Sequence, residues 1–81
     1  MTQDEVFTVV KKNIREVLYD LNTDEIPMEA SLKDLGANSL DRADITVMCM
    51  EELELKIPMV EFGGLTNIQG LVELLTQKVN T

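Results

Sequence analysis

The stretch Asp34-Leu35-Gly36-Ala37-Asn38-Ser39-Leu40-Asp41 closes an irregular segment and opens a helix. Gly36 breaks whatever precedes it. With Asn38 as N-cap, Asp41 stands at the third helical position, where a carboxylate complements the positive end of the helix dipole. Ser39 then takes the first helical position with its hydroxyl outward. A phosphate ester there meets unpaired backbone N–H groups. The competing register makes Ser39 the cap and puts Arg42 at the third position, where a cation opposes the dipole. A serine at a helix start is most often only a cap, so both readings stay open on these residues alone.

Downstream, the helix runs to about Leu53 and carries two apolar-containing faces. Ile45, Cys49 and Leu53 line one stripe, flanked by Thr46 and Met50, and this is the natural core face. Leu40, Asp44, Val47 and Glu51 line nearly the opposite side, with Ala43 and Met48 at its borders. That second face fits a helix buried on several sides with its acids reaching water. It equally fits a docking face on which apolar contacts hold a partner and acids steer it. The pattern does not choose.

Upstream, Thr2-Gln3-Asp4-Glu5 reads as a capping box. Val6, Val10, Ile14, Val17 and Leu21 follow at helical spacing, opposite Lys11, Lys12, Arg15 and Glu16. This first helix is expected to end near Tyr19 or Asp20. Leu21 to Asn38 is a long connection punctuated by Pro27 and Gly36, with Ile26, Leu32 and Leu35 to pin it inward. Beyond Leu53, Ile57-Pro58 forces extended backbone, and Met59 to Phe62 allows one short helical turn. Thr66-Asn67-Ile68-Gln69 reads as a second capping box, opening a last helix whose inward face is Ile68, Leu71, Val72, Leu75 and Val79. The expected fold is all-α, a small four-helix bundle of three main helices and one short one with a long first loop. Residues 1–81 are expected to form one domain.

Composition narrows the function. The 81 residues have room for a single small core, and 44% apolar content is enough to fold it. One cysteine, Cys49, and no histidine exclude an internal disulfide, Cys/His zinc sites, and Ser-His-Asp or Cys-His catalysis within the chain. Fifteen acidic residues against seven basic ones give a net charge of −8, which repels nucleic acid and suits basic partner surfaces. No apolar run approaches the roughly 18 residues of a membrane span. Neither a signal peptide at Met1-Thr2-Gln3-Asp4-Glu5 nor a prenylation motif at Lys78-Val79-Asn80-Thr81 is expected, so the expectation is a cytoplasmic protein with no membrane partner.

The octapeptide around Ser39, its place after a long loop, and the later Ile57-Pro58 together resemble acyl carrier proteins over essentially the whole chain. The resemblance implies an acyl-carrier-type bundle that is not an enzyme, with 4'-phosphopantetheine attached covalently to Ser39. The thiol of that arm would hold acyl groups as thioesters, and chemistry would belong to partners. It further implies a partner face of Leu40, Asp44, Val47, Met48 and Glu51, extended at the helix start by Asn38, Asp41 and Arg42. Ile45, Cys49, Leu65 and Leu71 would line the interior near a sequestered acyl chain. Two departures stand out: Asn38 replaces the Asp that usually precedes the modified serine, and Arg42 puts a cation on an acidic helix.

The longer pattern Arg42-Ala43-Asp44-Ile45, Val47-Met48-Cys49-Met50-Glu51-Glu52-Leu53, Ile57-Pro58, Glu61, Gly64 and Asn67-Ile68 resembles a narrower group. These are the free-standing donor carriers of polyketide β-branching cassettes. Such a carrier receives malonyl, which becomes acetyl on decarboxylation, and gives the acetyl to an enzyme resembling 3-hydroxy-3-methylglutaryl (HMG) synthase. The implied partners are a phosphopantetheinyl transferase, a malonyl-loading acyltransferase, a decarboxylase and the HMG-synthase-like enzyme, met by a monomer. Fatty-acid and peptidyl carriers compete within the family. From other classes, an unmodified acidic interaction module competes, and so does a calcium-binding loop at Asp20, Asn22 and Asp24. The latter has Glu25 and Ser31 where an EF-hand requires Gly and Glu.

Overall fold

Thr2 Oγ1 accepts a hydrogen bond from the Glu5 N–H at 3.2 Å, and Glu5 accepts one from the Thr2 N–H at 2.9 Å. This reciprocal cap starts α1 (Gln3–Val17) and, through the backbone bond at Thr2, lowers the pKa of Glu5. The computed structural model describes residues 1–21 and 26–81. Asn22, Asp24 and Glu25 of the EF-hand comparison lie outside the described residues.

α1 stops short of the expected Tyr19 or Asp20. Leu18 leaves helical geometry at ψ 63° and is buried, while Tyr19 is 88% exposed. Turning the chain at Leu18 keeps its side chain in the core, and that burial outweighs another turn of helix.

The remaining regular elements among the described residues are α2 (Ser39–Leu53), a 3-10 turn (Met59–Phe62) and α3 (Ile68–Val79), so the fold is all-helical. Val6, Val10 and Ile14 of α1 are sealed against Ile45 and Cys49 of α2 and against Ile68, Val72 and Leu75 of α3. Each such side chain contributes about 1.5–3 kcal/mol relative to exposure. α1 packs on both α2 and α3, whereas α2 and α3 touch each other much less. No helix among the described residues is long and apolar enough to cross a membrane.

The third helix begins one residue later than expected. Its N-cap is Asn67, whose Oδ1 accepts from the Gly70 N–H at 2.9 Å; Thr66 is not the cap. The reason is tertiary. The Ile68 and Gln69 N–H groups donate to the Ala30 and Met28 carbonyls, each at 2.9 Å, so the long loop itself completes the helix start.

The loop ends in a tight turn that aims α2. Ser31 and Asp34 exchange backbone-to-side-chain hydrogen bonds at 3.0 and 3.2 Å. Gly36 N–H then bonds Lys33 O and Ala37 N–H bonds Leu32 O, both at 3.0 Å, the paired bonds of a Schellman turn. Gly36 sits at φ +97° to make it. α2 ends in the same way, with Leu55 N–H on Met50 O at 2.8 Å, but there Glu54 occupies the left-handed position at φ 57°. A Cβ is disfavoured at such angles. Gly36→Ala is therefore expected to lower the unfolding free energy by about 1 kcal/mol, and Glu54→Gly to raise it by a similar amount. Urea titrations moving both variants in the same direction would contradict this reading.

Candidate functional site

Asn38 caps α2 as its residue type suggests. Its Oδ1 accepts from the Asp41 N–H at 2.8 Å, and Asp41 accepts from the Asn38 N–H at 3.2 Å. The box fixes the register in which Ser39 is the first helical residue, so Ser39 is not the cap. Ser39 is exposed, and among the described residues the Ser39 and Leu40 N–H groups have no protein acceptor. An anion on the Ser39 hydroxyl would find the positive end of the helix there.

The hydroxyl is not isolated. Arg42 Nη2 donates to Ser39 Oγ at 3.2 Å, and Arg42 Nε donates to the Asn38 carbonyl at 3.4 Å. Oγ accepts this bond, so its own proton remains available to a base.

A cleft of about 360 Å³ opens beside Ser39 where α2 and α3 diverge. Ala43, Thr46, Phe62, Leu65 and Leu71 are among its walls, with Lys33 and Arg42 also on its lining. Leu65 and Leu71 thus stand where they are expected. Ile45 and Cys49 are interior as well, fully buried in the core, though neither is on the cleft lining. Helical spacing shows that they point inward but not which neighbour they meet. Thr46 takes the cleft position instead, its Oγ1 satisfied by the Arg42 carbonyl at 2.9 Å. Phe62 was legible only as an apolar residue in a one-turn helix, and Lys33 gave no linear signal.

The outward face of α2 carries Leu40 at 76% exposure and Val47 at 39%, with Asp44 and Glu51 exposed between and beyond them. Met48 and Ala43 are half-buried at its borders. Past Glu51, the hollow formed by Val47, Met50, Leu55, Ile57 and Pro58 continues the apolar surface. Glu51, Glu52 and Glu54 crowd the negative end of the helix dipole, where local stability favours cations. Of these, Glu52 has a cation close by, Lys12 at 2.8 Å, an exposed pair of small worth.

Residues 8–75 match the family model described as phosphopantetheine attachment site. The chain is also 43% identical over 81 residues to the polyketide biosynthesis acyl-carrier-protein AcpK of Bacillus subtilis, covering 100% of this chain and 99% of that protein. This chain belongs to the acyl carrier proteins. Its prosthetic group is phosphopantetheine. The acyl carrier protein of Petrotoga mobilis is 35% identical, over 99% of this carrier and 94% of its own length.

Among solved structures, this carrier resembles a chain from the crystal structure of the curacin biosynthetic pathway HMG synthase in complex with acetyl donor-ACP. The TM-score is 0.88 with 38% identity, covering 96% of this chain and 100% of that one. The matched chain therefore has nearly this carrier's length, as the donor carrier would and a synthase would not. The residues at the start of α2 fit the prosthetic group: an exposed hydroxyl, free helix N–H groups and a guanidinium surround the position a phosphate ester requires.

The carrier's own cysteine is kept apart from thiol chemistry. Burial pushes the Cys49 thiol up to about 11, against a smaller opposing effect from Asn13, whose Nδ2 donates to Sγ at 3.5 Å. A raised pKa means less thiolate, on the order of one molecule in a thousand at pH 8. Ellman's reagent should therefore give no prompt reaction with the native apo-protein at pH 8 and one equivalent in denaturant. Prompt release from the native protein would contradict the sealed position of Cys49.

Proposed function

We propose that Ser39 carries the phosphopantetheine arm and that this carrier is an acetyl donor in polyketide β-branching, handing its acetyl to an HMG-synthase-like enzyme. The likeness over 96% of the chain to the carrier crystallised with an HMG synthase carries this reading. The attached arm supplies a terminal thiol on which acyl groups ride as thioesters. Everything else asked of the chain is positioning. The Asn38–Asp41 box holds Ser39 Oγ outward, where a transferase base can take its proton as the oxygen bonds the pantetheine-side phosphorus of coenzyme A and the pyrophosphate link breaks, releasing 3',5'-adenosine bisphosphate.

Leu40, Asp44, Val47, Met48 and Glu51 form the proposed partner face, with Asn38, Asp41 and Arg42 at its Ser39 end. Apolar side chains on that face supply short-range contact, and the carboxylates speed encounter with basic surfaces. Such a face suits a carrier that must leave each enzyme after docking: the transferase, a malonyl-loading acyltransferase, a decarboxylase, then the synthase. Residues 1–81 work as one carrier domain, monomeric and cytoplasmic, and the chain is not itself an enzyme. Tethering raises the local concentration of the acyl group at each docked active site.

Incubation with coenzyme A and a broad-range phosphopantetheinyl transferase should add one phosphopantetheine mass, located on Ser39 by tryptic mapping and absent in Ser39→Ala. No increment, under conditions that modify a control carrier, would favour an unmodified interaction module. Reversing charge with Asp44→Lys and Glu51→Lys together should weaken synthase binding about tenfold while leaving the helical fold intact. Unchanged binding by calorimetry would remove the α2 face from the account.

A further inference from the structure

Arg42 is the only cation of α2, and it turns back toward the helix start rather than outward. Its Nε and Nη2 span the Asn38 carbonyl and Ser39 Oγ, the two oxygens that flank the first turn. A helical side chain leans over the turn that precedes it, which brings the guanidinium within reach of both oxygens. The two contacts place a planar, permanently charged fork against the one hydroxyl that the family reading assigns to a phosphate ester. Arg42 and Ser39 also share the lining of the α2–α3 cleft, on which Lys33 is the other cation. In a chain of net charge −8, two cations on the cleft that meets Ser39 mark a local reversal of field.

We infer that Arg42 is a positioning residue for the prosthetic arm: its guanidinium pairs with the phosphodiester on Ser39 and draws the root of the arm toward the α2–α3 cleft, away from the acidic outer face. The inference rests on Ser39 being the attachment residue. A phosphodiester replaces a neutral acceptor by an anionic one on the same oxygen, so the existing contact to Oγ becomes charge-assisted. The free Ser39 and Leu40 N–H groups add to the same attraction. Asp44 and Glu51 on the outer face oppose an anion, so charge on both sides favours the cleft. The pair is exposed and therefore weak, a roughly two- to five-fold preference for the paired state at low salt. That strength suits an arm that must swing out to partners.

The test uses holo-protein, with intact mass first establishing the arm on Ser39 in wild type, Arg42→Gln and Arg42→Lys. Phosphorus NMR should show the phosphodiester resonance displaced in Arg42→Gln, with wild type moving toward the variant position as sodium chloride rises. Arg42→Lys should fall between them, because it keeps the charge and loses the fork. In wild type the Arg42 Nε–H should exchange more slowly in holo- than in apo-protein. The apo-to-holo methyl shifts of Leu65 and Leu71 on the cleft should shrink in Arg42→Gln. If Ser39 carries no arm, the functional reading fails and this one with it. If the arm is present but the phosphorus resonance is the same in all three proteins and insensitive to salt, Arg42 does not hold it and this inference alone is overturned.

Discussion

The reciprocal hydrogen bonds between Asn38 and Asp41 decide where α2 begins, and the rest of the site follows from that register. Because the cap function belongs to Asn38, Ser39 becomes the first helical residue with an exposed side chain. Because the helix starts there, Ile45 and Cys49 fall on the face that α1 seals, and Leu40, Asp44, Val47 and Glu51 fall on the face it leaves open. A shift by one residue would turn both faces by about 100° and leave neither where it now stands. The Schellman turn at Gly36 delivers the chain to this cap, and the loop carbonyls at Met28 and Ala30 tie the same loop to α3.

The second constraint is the division of contacts among the helices. α1 packs against both other long helices, and they meet each other little. Stability is concentrated on one side of α2, and the other sides are left for the cleft and for the acidic surface. The glutamates at the end of α2 oppose the helix dipole, and Glu54 adopts a left-handed angle that glycine takes more readily. These are local losses that folding alone does not ask for.

The parts of this fold legible in the sequence are those with local causes. The α1 capping box, the register of α2, the extended Ile57-Pro58 and the short turn after it each follow from residues within a few positions of one another. The errors come from long-range packing. α1 ends at Val17 because Leu18 is drawn into the core, and α3 starts after Asn67 because a distant loop takes its first N–H groups. A helical wheel places Ile45 and Cys49 inward but does not say that α1, and not the cleft, receives them. Arg42 reads in the sequence as an anomaly of charge; only its hydrogen bond to Ser39 ties it to the site. The family was legible because its octapeptide combines a loop end, a helix cap and an exposed serine in one stretch.

The central claim is that this carrier delivers acetyl to an HMG-synthase-like enzyme. The most direct measurement loads the holo-protein with labelled acetyl and mixes it with the HMG synthase of a β-branching cassette and, separately, with a fatty-acid ketosynthase. Rapid quenching and intact mass then follow the label onto each enzyme. The account predicts prompt acetylation of the HMG synthase and much slower labelling of the ketosynthase. Equal transfer to both, or preference for the ketosynthase, would make this a general or fatty-acid carrier and contradict the donor assignment.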